Sequence, residues 1–125
     1  MDKLVEQGSR RLKWAYEHMP VIQELDRRYR EEQPLAGLKI GMALHTEAKT
    51  GMLAVTLANA GAKICLASCN PLSTDDSVAA ALRDEYGLDV HAKKYETQEE
   101  YYNNLNAVLN ISPDYVIDDG ADLIT

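Results

Sequence analysis

The stretch Leu38-Lys-Ile-Gly-Met-Ala-Leu44 constrains the fold more than any other part of the chain. It is a short apolar run that breaks at a polar corner, His45-Thr46-Glu47. A helical pattern follows: Met52, Leu53, Val55, Thr56, Leu57. A buried strand that turns into a helix satisfies this order, and the length of the run favours a strand over a helix segment. Ligands of open parallel sheets sit outside the carboxyl ends of the strands. His45 and Glu47 occupy that position in the first unit.

The unit then repeats. The first strand is expected at about 38–43 and its helix at about 48–60, with Gly61 stopping it. Lys63-Ile-Cys-Leu-Ala67 reads as the second strand, ending in Ser68-Cys69-Asn70-Pro71. Ser73 or Thr74 is expected to cap the next helix, because Ser73-x-x-Asp76 has the capping-box pattern. That helix runs to about Tyr86 before Gly87, and Asp89 to Ala92 forms the third strand. Thr97-x-x-Glu100 opens another helix with a second capping box, running to about Leu109. Tyr115-Val-Ile117 is the fourth strand, ending at Asp118-Asp119-Gly120-Ala121-Asp122. Four strands joined by helices imply a parallel sheet. Its strand-to-helix corners share one edge, so topology alone gathers His45, Glu47, Asn70, Ser73, Asp75, Tyr95, Glu96, Asp119 and Asp122.

Two helices precede the sheet. Val5, Leu12, Ala15, Tyr16 and Met19 share one side of a helix over 2–19. Pro20 begins a second, to about Glu32, with Ile22, Leu25 and Tyr29 at helical spacing. The expected organisation is a helical pair at 1–33 packed on a parallel α/β domain at 34–125. Its class is a three-layer α/β/α sheet, flavodoxin-like or Rossmann-like, with strand order 2-1-3-4 and 3-2-1-4 as the alternative.

At 125 residues the chain forms a single domain with room for a sizeable core. Its net charge of −7 carries no single-sign basic face, so no nucleic-acid partner is expected. The absence of a long apolar run argues against a membrane partner. The N-terminus lacks the apolar stretch of a secretion signal, and a cytoplasmic location follows as the default. Cys65 and Cys69 lie roughly 13 Å apart if both sit on one strand, too far for a disulfide. Cys65 is expected in the core, with Cys69 at a strand end.

His45 is the chemically adaptable group: an imidazole at a strand end gives or takes a proton near neutral pH. In Asp118-Asp119-Gly120-Ala121-Asp122 a carboxylate held among other carboxylates resists ionisation, which suits a general base. The Asp118–Asp122 cluster lacks the further oxygen ligands of a calcium loop, so no metal is expected. Asn70 precedes a helix N-terminus with free backbone N–H groups. The glycines never form G-x-G, so no dinucleotide or phosphate loop is present.

Six segments are distinctive together: Glu17-His-Met-Pro-Val21, Pro34-Leu-Ala-Gly-Leu-Lys-Ile40, Ala43-Leu-His45, Asn70-Pro-Leu-Ser-Thr74 with Val78-Ala-Ala-Ala-Leu82, Glu96-Thr-Gln-Glu-Glu-Tyr-Tyr102, and Ile117-Asp-Asp-Gly-Ala-Asp-Leu123. As a set they resemble the S-adenosylhomocysteine hydrolase (adenosylhomocysteinase) family. They fall in the family's order and span nearly the whole chain, which resembles the family's N-terminal, substrate-binding part.

The resemblance implies a fold, an activity and a set of residues. The family uses NAD to oxidise a ribose 3′-hydroxyl, which acidifies the neighbouring C4′ proton. Homocysteine is then eliminated, water adds, and the ketone is reduced. S-adenosylhomocysteine and adenosine are the implied small-molecule partners, with a homo-oligomer as the expected assembly. His45 and Asp119 match catalytic residues, Asp119 also touching substrate. Leu44, Glu47, Lys49, Asn70, Ser73 and Asp75 fall at substrate-binding positions. Glu47 and Lys49 stand where many members have Thr and Glu near the adenine. Asp75 stands in place of a usual Gln, and Ala121 in place of the second Gly of a D-D-G-G-D motif. The family's next glutamate, its catalytic Lys and Asp, and its NAD domain are not among these residues. This leaves a binding or regulatory module as the rival to an enzyme. A receiver-like signalling domain fits less well, because its acidic pair belongs to the first strand.

Overall fold

The computed structural model describes residues 3–68, 74–92 and 96–118. Helices α1 (Lys3–Glu17) and α2 (Pro20–Glu32) lead into β1 (Lys39–Leu44), α3 (Ala48–Asn59), β2 (Lys63–Ser68), α4 (Asp76–Asp84), β3 (Asp89–His91), α5 (Gln98–Asn110) and β4 (Tyr115–Asp118). All strand pairs are parallel, as the strand–helix alternation requires.

The strand order is β3-β2-β1-β4, the Rossmann-like alternative rather than the expected 2-1-3-4. The length and polarity of β3 explain the difference. The strand has only three residues, and Asp89 and His91 share one of its faces. In the order 2-1-3-4 that polar face would lie inside the sheet, covered on both sides. At the sheet margin both side chains reach solvent.

Side-chain alternation divides the core in two. Ile40, Met42, Ile64, Leu66 and Val90 face α3 and α4. Ala43, Cys65 and Ala67 face α5 through Leu105 and Val108. Small residues on this second face let α5 lie close. At Gly41 an added Cβ would stand 2.7 Å from Val108 Cγ1.

Helix α1 adds a layer outside α3 and α4, burying Val5, Gly8, Leu12 and Ala15. The fully buried Leu12 side chain stabilises this contact by about 1.5–3 kcal/mol. Helix α2 is attached differently. Ile22, Leu25 and Tyr29 are only half-buried, and the residue it buries is Asp26. Asp26 accepts hydrogen bonds from Asn59 Nδ2 (2.9 Å) and Arg30 Nε (2.9 Å). Gln33 Nε2 donates to Asn59 O at 2.6 Å, so polar bonds fasten α2 to the end of α3.

The capping pattern at α5 forms as expected, with Thr97 and Glu100 bonded reciprocally. At α4 it does not. The N-cap is Asp75, whose side chain accepts from Ser77 N and Val78 N. Thr74 instead points its hydroxyl at Ser68 Oγ, 2.9 Å away. A carboxylate at the cap meets both free N–H groups and the positive end of the helix dipole, which a hydroxyl does less well. Among the described residues, no helix is long and apolar enough to cross a membrane.

Candidate functional site

Strand order decides where a ligand can enter. From β1 the sheet extends to β2 and β3 on one side and to β4 on the other, so the order reverses between β1 and β4. A crevice outside the carboxyl ends of those two strands is the usual binding place in such sheets. Ala43 is paired with Asp118 across this switch, and Leu44 and His45 follow at once. Leu44 and His45 are both half-buried.

The corner after β1 is tightly built. Glu47 N donates to His45 O at 3.0 Å, turning the chain within three residues. Glu47 then caps α3, its Oε1 accepting from Thr50 N (2.9 Å) and Thr50 Oγ1 (3.1 Å). Thr46 is fully buried, and among the described residues its Oγ1 has no hydrogen-bond partner. Lys49 is exposed in the first turn of α3. A cation there opposes the helix dipole at a cost of about 0.3–1 kcal/mol, so helix stability does not account for it.

One bond joins the corners after β1 and β2, Asp75 N donating to Thr46 O at 2.7 Å. Within the second corner, Thr74 Oγ1 donates to Ser68 Oγ. Asp75 Oδ1 accepts from Ser77 Oγ at 2.6 Å, and Oδ2 pairs with Arg11 Nη1 of α1 at 2.6 Å. Helix α1, remote in sequence, therefore helps to hold the site's second corner. Sequence patterns carry no signal for the Arg11–Asp75 pair or for buried Thr46.

Burial pushes the Asp75 carboxyl up, but hydrogen bonds from Ser77 and Arg11, the Arg11 charge and the Val78 N–H outweigh it and hold it below its ordinary value. A depressed carboxylate stabilises the fold above its unfolded pKa of about 3.9, and that stability is lost as pH falls through the lower folded value. Asp75→Ala is expected to cost about 1–2 kcal/mol at neutral pH through the lost cap. Urea denaturation should show the gap to the parent chain narrowing as pH falls below the unfolded value of about 3.9. Equal stability of the two proteins at neutral pH would remove Asp75 from the capping role.

His45, Glu47, Lys49 and Asp75 are thus placed at the carboxyl edge, with Leu44 at the end of β1. Asn70, Ser73, Asp119, Tyr95 and Asp122 lie outside the described residues, as does Cys69. A cavity of about 350 Å³ lies elsewhere, among α1 to α4, with Arg10, Lys13, Arg30 and Glu85 in its lining. It includes no residue of the carboxyl edge. The helix N-termini after β1 and β2 are both closed by carboxylates, Glu47 and Asp75. Those anions do not fit a dinucleotide pyrophosphate, which needs free N–H groups there.

A profile of S-adenosyl-L-homocysteine hydrolase matches residues 2–125. An adenosylhomocysteinase of Thermoplasma acidophilum is 53% identical over 116 residues, 93% of this chain and 28% of that protein. An S-inosyl-L-homocysteine hydrolase of Methanocaldococcus jannaschii is 54% identical over 121 residues, 97% of this chain and 29% of that protein. An adenosylhomocysteinase of Archaeoglobus fulgidus is 49% identical over 118 residues, 94% of this chain and 29% of that protein. The chain spans less than a third of the length of these relatives. With a match over 2–125 and about half of its residues identical to relatives so named, the chain belongs to the S-adenosyl-L-homocysteine hydrolase family.

Proposed function

We propose that this chain is the substrate-binding part of a hydrolase that cleaves the thioether of S-adenosyl-L-homocysteine, giving adenosine and homocysteine. The carrying observation is the position of His45 at the end of β1, beside the switch point with β4. There His45 donates a proton to the departing sulfur and accepts one from the incoming water. Asp119 is its proposed partner in proton transfer, and Leu44, Asn70 and Ser73 complete the substrate contacts. Asp75 serves the site by holding the corner, since this chain's own groups engage both of its oxygens. NAD is proposed to bind in a part of the protein outside these residues. The reading includes a cytoplasmic homo-oligomer.

The relatives bear two substrate names, and the base edge explains why both deserve assay. Glu47 accepts hydrogen bonds and Lys49 donates them. Adenine offers an amino donor and a ring-nitrogen acceptor, and hypoxanthine offers an oxygen acceptor and a ring N–H donor. The same pair of side chains serves either base. Thiol release by the full-length protein is expected from at least one of S-adenosyl- and S-inosyl-L-homocysteine. Release from neither, with the protein folded and supplied with NAD, would overturn the reading in favour of a binding module.

A further inference from the structure

On the α5 side of the sheet, Cys65 of β2 is in register with Asp89 of β3, and Ala67 is in register with His91. Asp89 and His91, two residues apart on a strand, project to one face. The sulfur, a carboxylate oxygen and an imidazole nitrogen all lie within 4.8 Å of one another. We propose that Cys65, Asp89 and His91 form a binding site for a borderline-soft divalent cation of the zinc type.

The chemistry of the donors selects the cation. Thiolate and imidazole favour zinc and cobalt over magnesium and calcium, which prefer oxygen alone. Bonds of about 2.0–2.3 Å in a tetrahedral site require donors roughly 3.3–3.8 Å apart. His91 Nε2 and Asp89 Oδ1 are already at 2.7 Å, and a cation between them would spread them slightly. Closing the remaining gap to the sulfur takes a contraction of about 1 Å, within reach of side-chain rotation.

The burial gradient suits a three-ligand site with one open position. Cys65 is fully buried, whereas the His91 and Asp89 side chains are 34% and 49% exposed. Two ligands can therefore move to meet the ion, and water has access to a fourth position. Burial first, then the Asp89 charge and hydrogen bond, push the Cys65 thiol up to about 12. The free thiol therefore holds its proton at neutral pH, and an incoming cation expels it into solvent as the metal–sulfur bond forms. The site spans β2 and β3, on the opposite side of β1 from the β1–β4 switch and separate from the His45 corner. A bound ion would pin the short β3 to β2. The spacing Cys-x23-Asp-x-His matches no familiar metal motif, so only the strand register exposes it.

Cobalt titration of the 125-residue chain tests this directly. One equivalent of Co²⁺ is expected to produce a thiolate-to-cobalt charge-transfer band in the near ultraviolet, with release of a proton, and Zn²⁺ should abolish the band. Cys65→Ser should lose it, and Cys69→Ser should keep it. His91→Ala, at a half-exposed position, should weaken binding by at least about tenfold, since even supporting partners of metal ligands contribute that much. Far-ultraviolet circular dichroism checks that each variant is folded. The proposal fails if the parent chain shows no band. It fails equally if the band depends on Cys69, or if His91→Ala binds as tightly as the parent.

Discussion

Replacement of His45 by Asn in the full-length protein is expected to lower turnover about 10²–10⁴-fold, the usual contribution of a positioned general acid or base. Asparagine keeps a planar polar group of similar reach but cannot exchange a proton near neutral pH. The fold should barely notice the change. His45 is half-buried, and the turn at its corner is held by its backbone carbonyl, which accepts from Glu47 N in either variant. Substrate affinity, proposed to rest on neighbouring side chains, should change little, so kcat and kcat/KM should fall together. NAD binding should persist, because the proposed cofactor site lies elsewhere in the protein. Steady-state kinetics with a thermal melt of both proteins separate the outcomes. Unchanged turnover in a stable variant would confine His45 to shaping the corner.

Much of the fold was legible because strand–helix periodicity is a local property. The limits of β1, α3, β2 and α5 fall within a residue or two of those expected from apolar runs, caps and Gly61. Strand order is not local: the sequence favours 2-1-3-4, and the structure has 3-2-1-4. Even so, Asp89-Val90-His91 carried a clue, because so short and polar a strand fits a sheet margin better than its middle. At α4 two hydroxyls and a carboxylate stood in adjacent positions. Only the pull of Ser68 on Thr74 and of Arg11 on Asp75 decides among them. His45 was legible as a site residue because its position follows from one apolar run. Thr46, Arg11 and the Cys65 cluster were not, since each depends on segments far apart in the chain. The burial of Asp26 is not legible for a related reason: it depends on its partners Asn59, from another helix, and Arg30.

Gly8→Ala is expected to destabilise the fold by about 1–3 kcal/mol, although the same change in an open helix interior stabilises by about 1. The reason is the crossing of α1 over α4. An added Cβ at Gly8 would stand 1.8 Å from Ser77 O, 2.4 Å from Ser77 C and 3.0 Å from Ala81 Cβ. Two of those atoms are backbone at the first turn of α4, so no rotamer change relieves the clash. Helix α1 must lift, which loosens Leu12 from its buried position and draws Arg11 away from Asp75. The damage should therefore spread to the cap of α4 and to the Asp75–Thr46 bond that joins the two corners of the site. Gln7→Ala, at an exposed position one residue away on α1, supplies the control, with an expected change within about 0.5 kcal/mol. Urea denaturation of the three proteins measures the difference. A Gly8→Ala chain more stable than its parent would mean that α1 does not cross α4 at this close approach, and that the Arg11–Asp75 link to the site is misplaced with it.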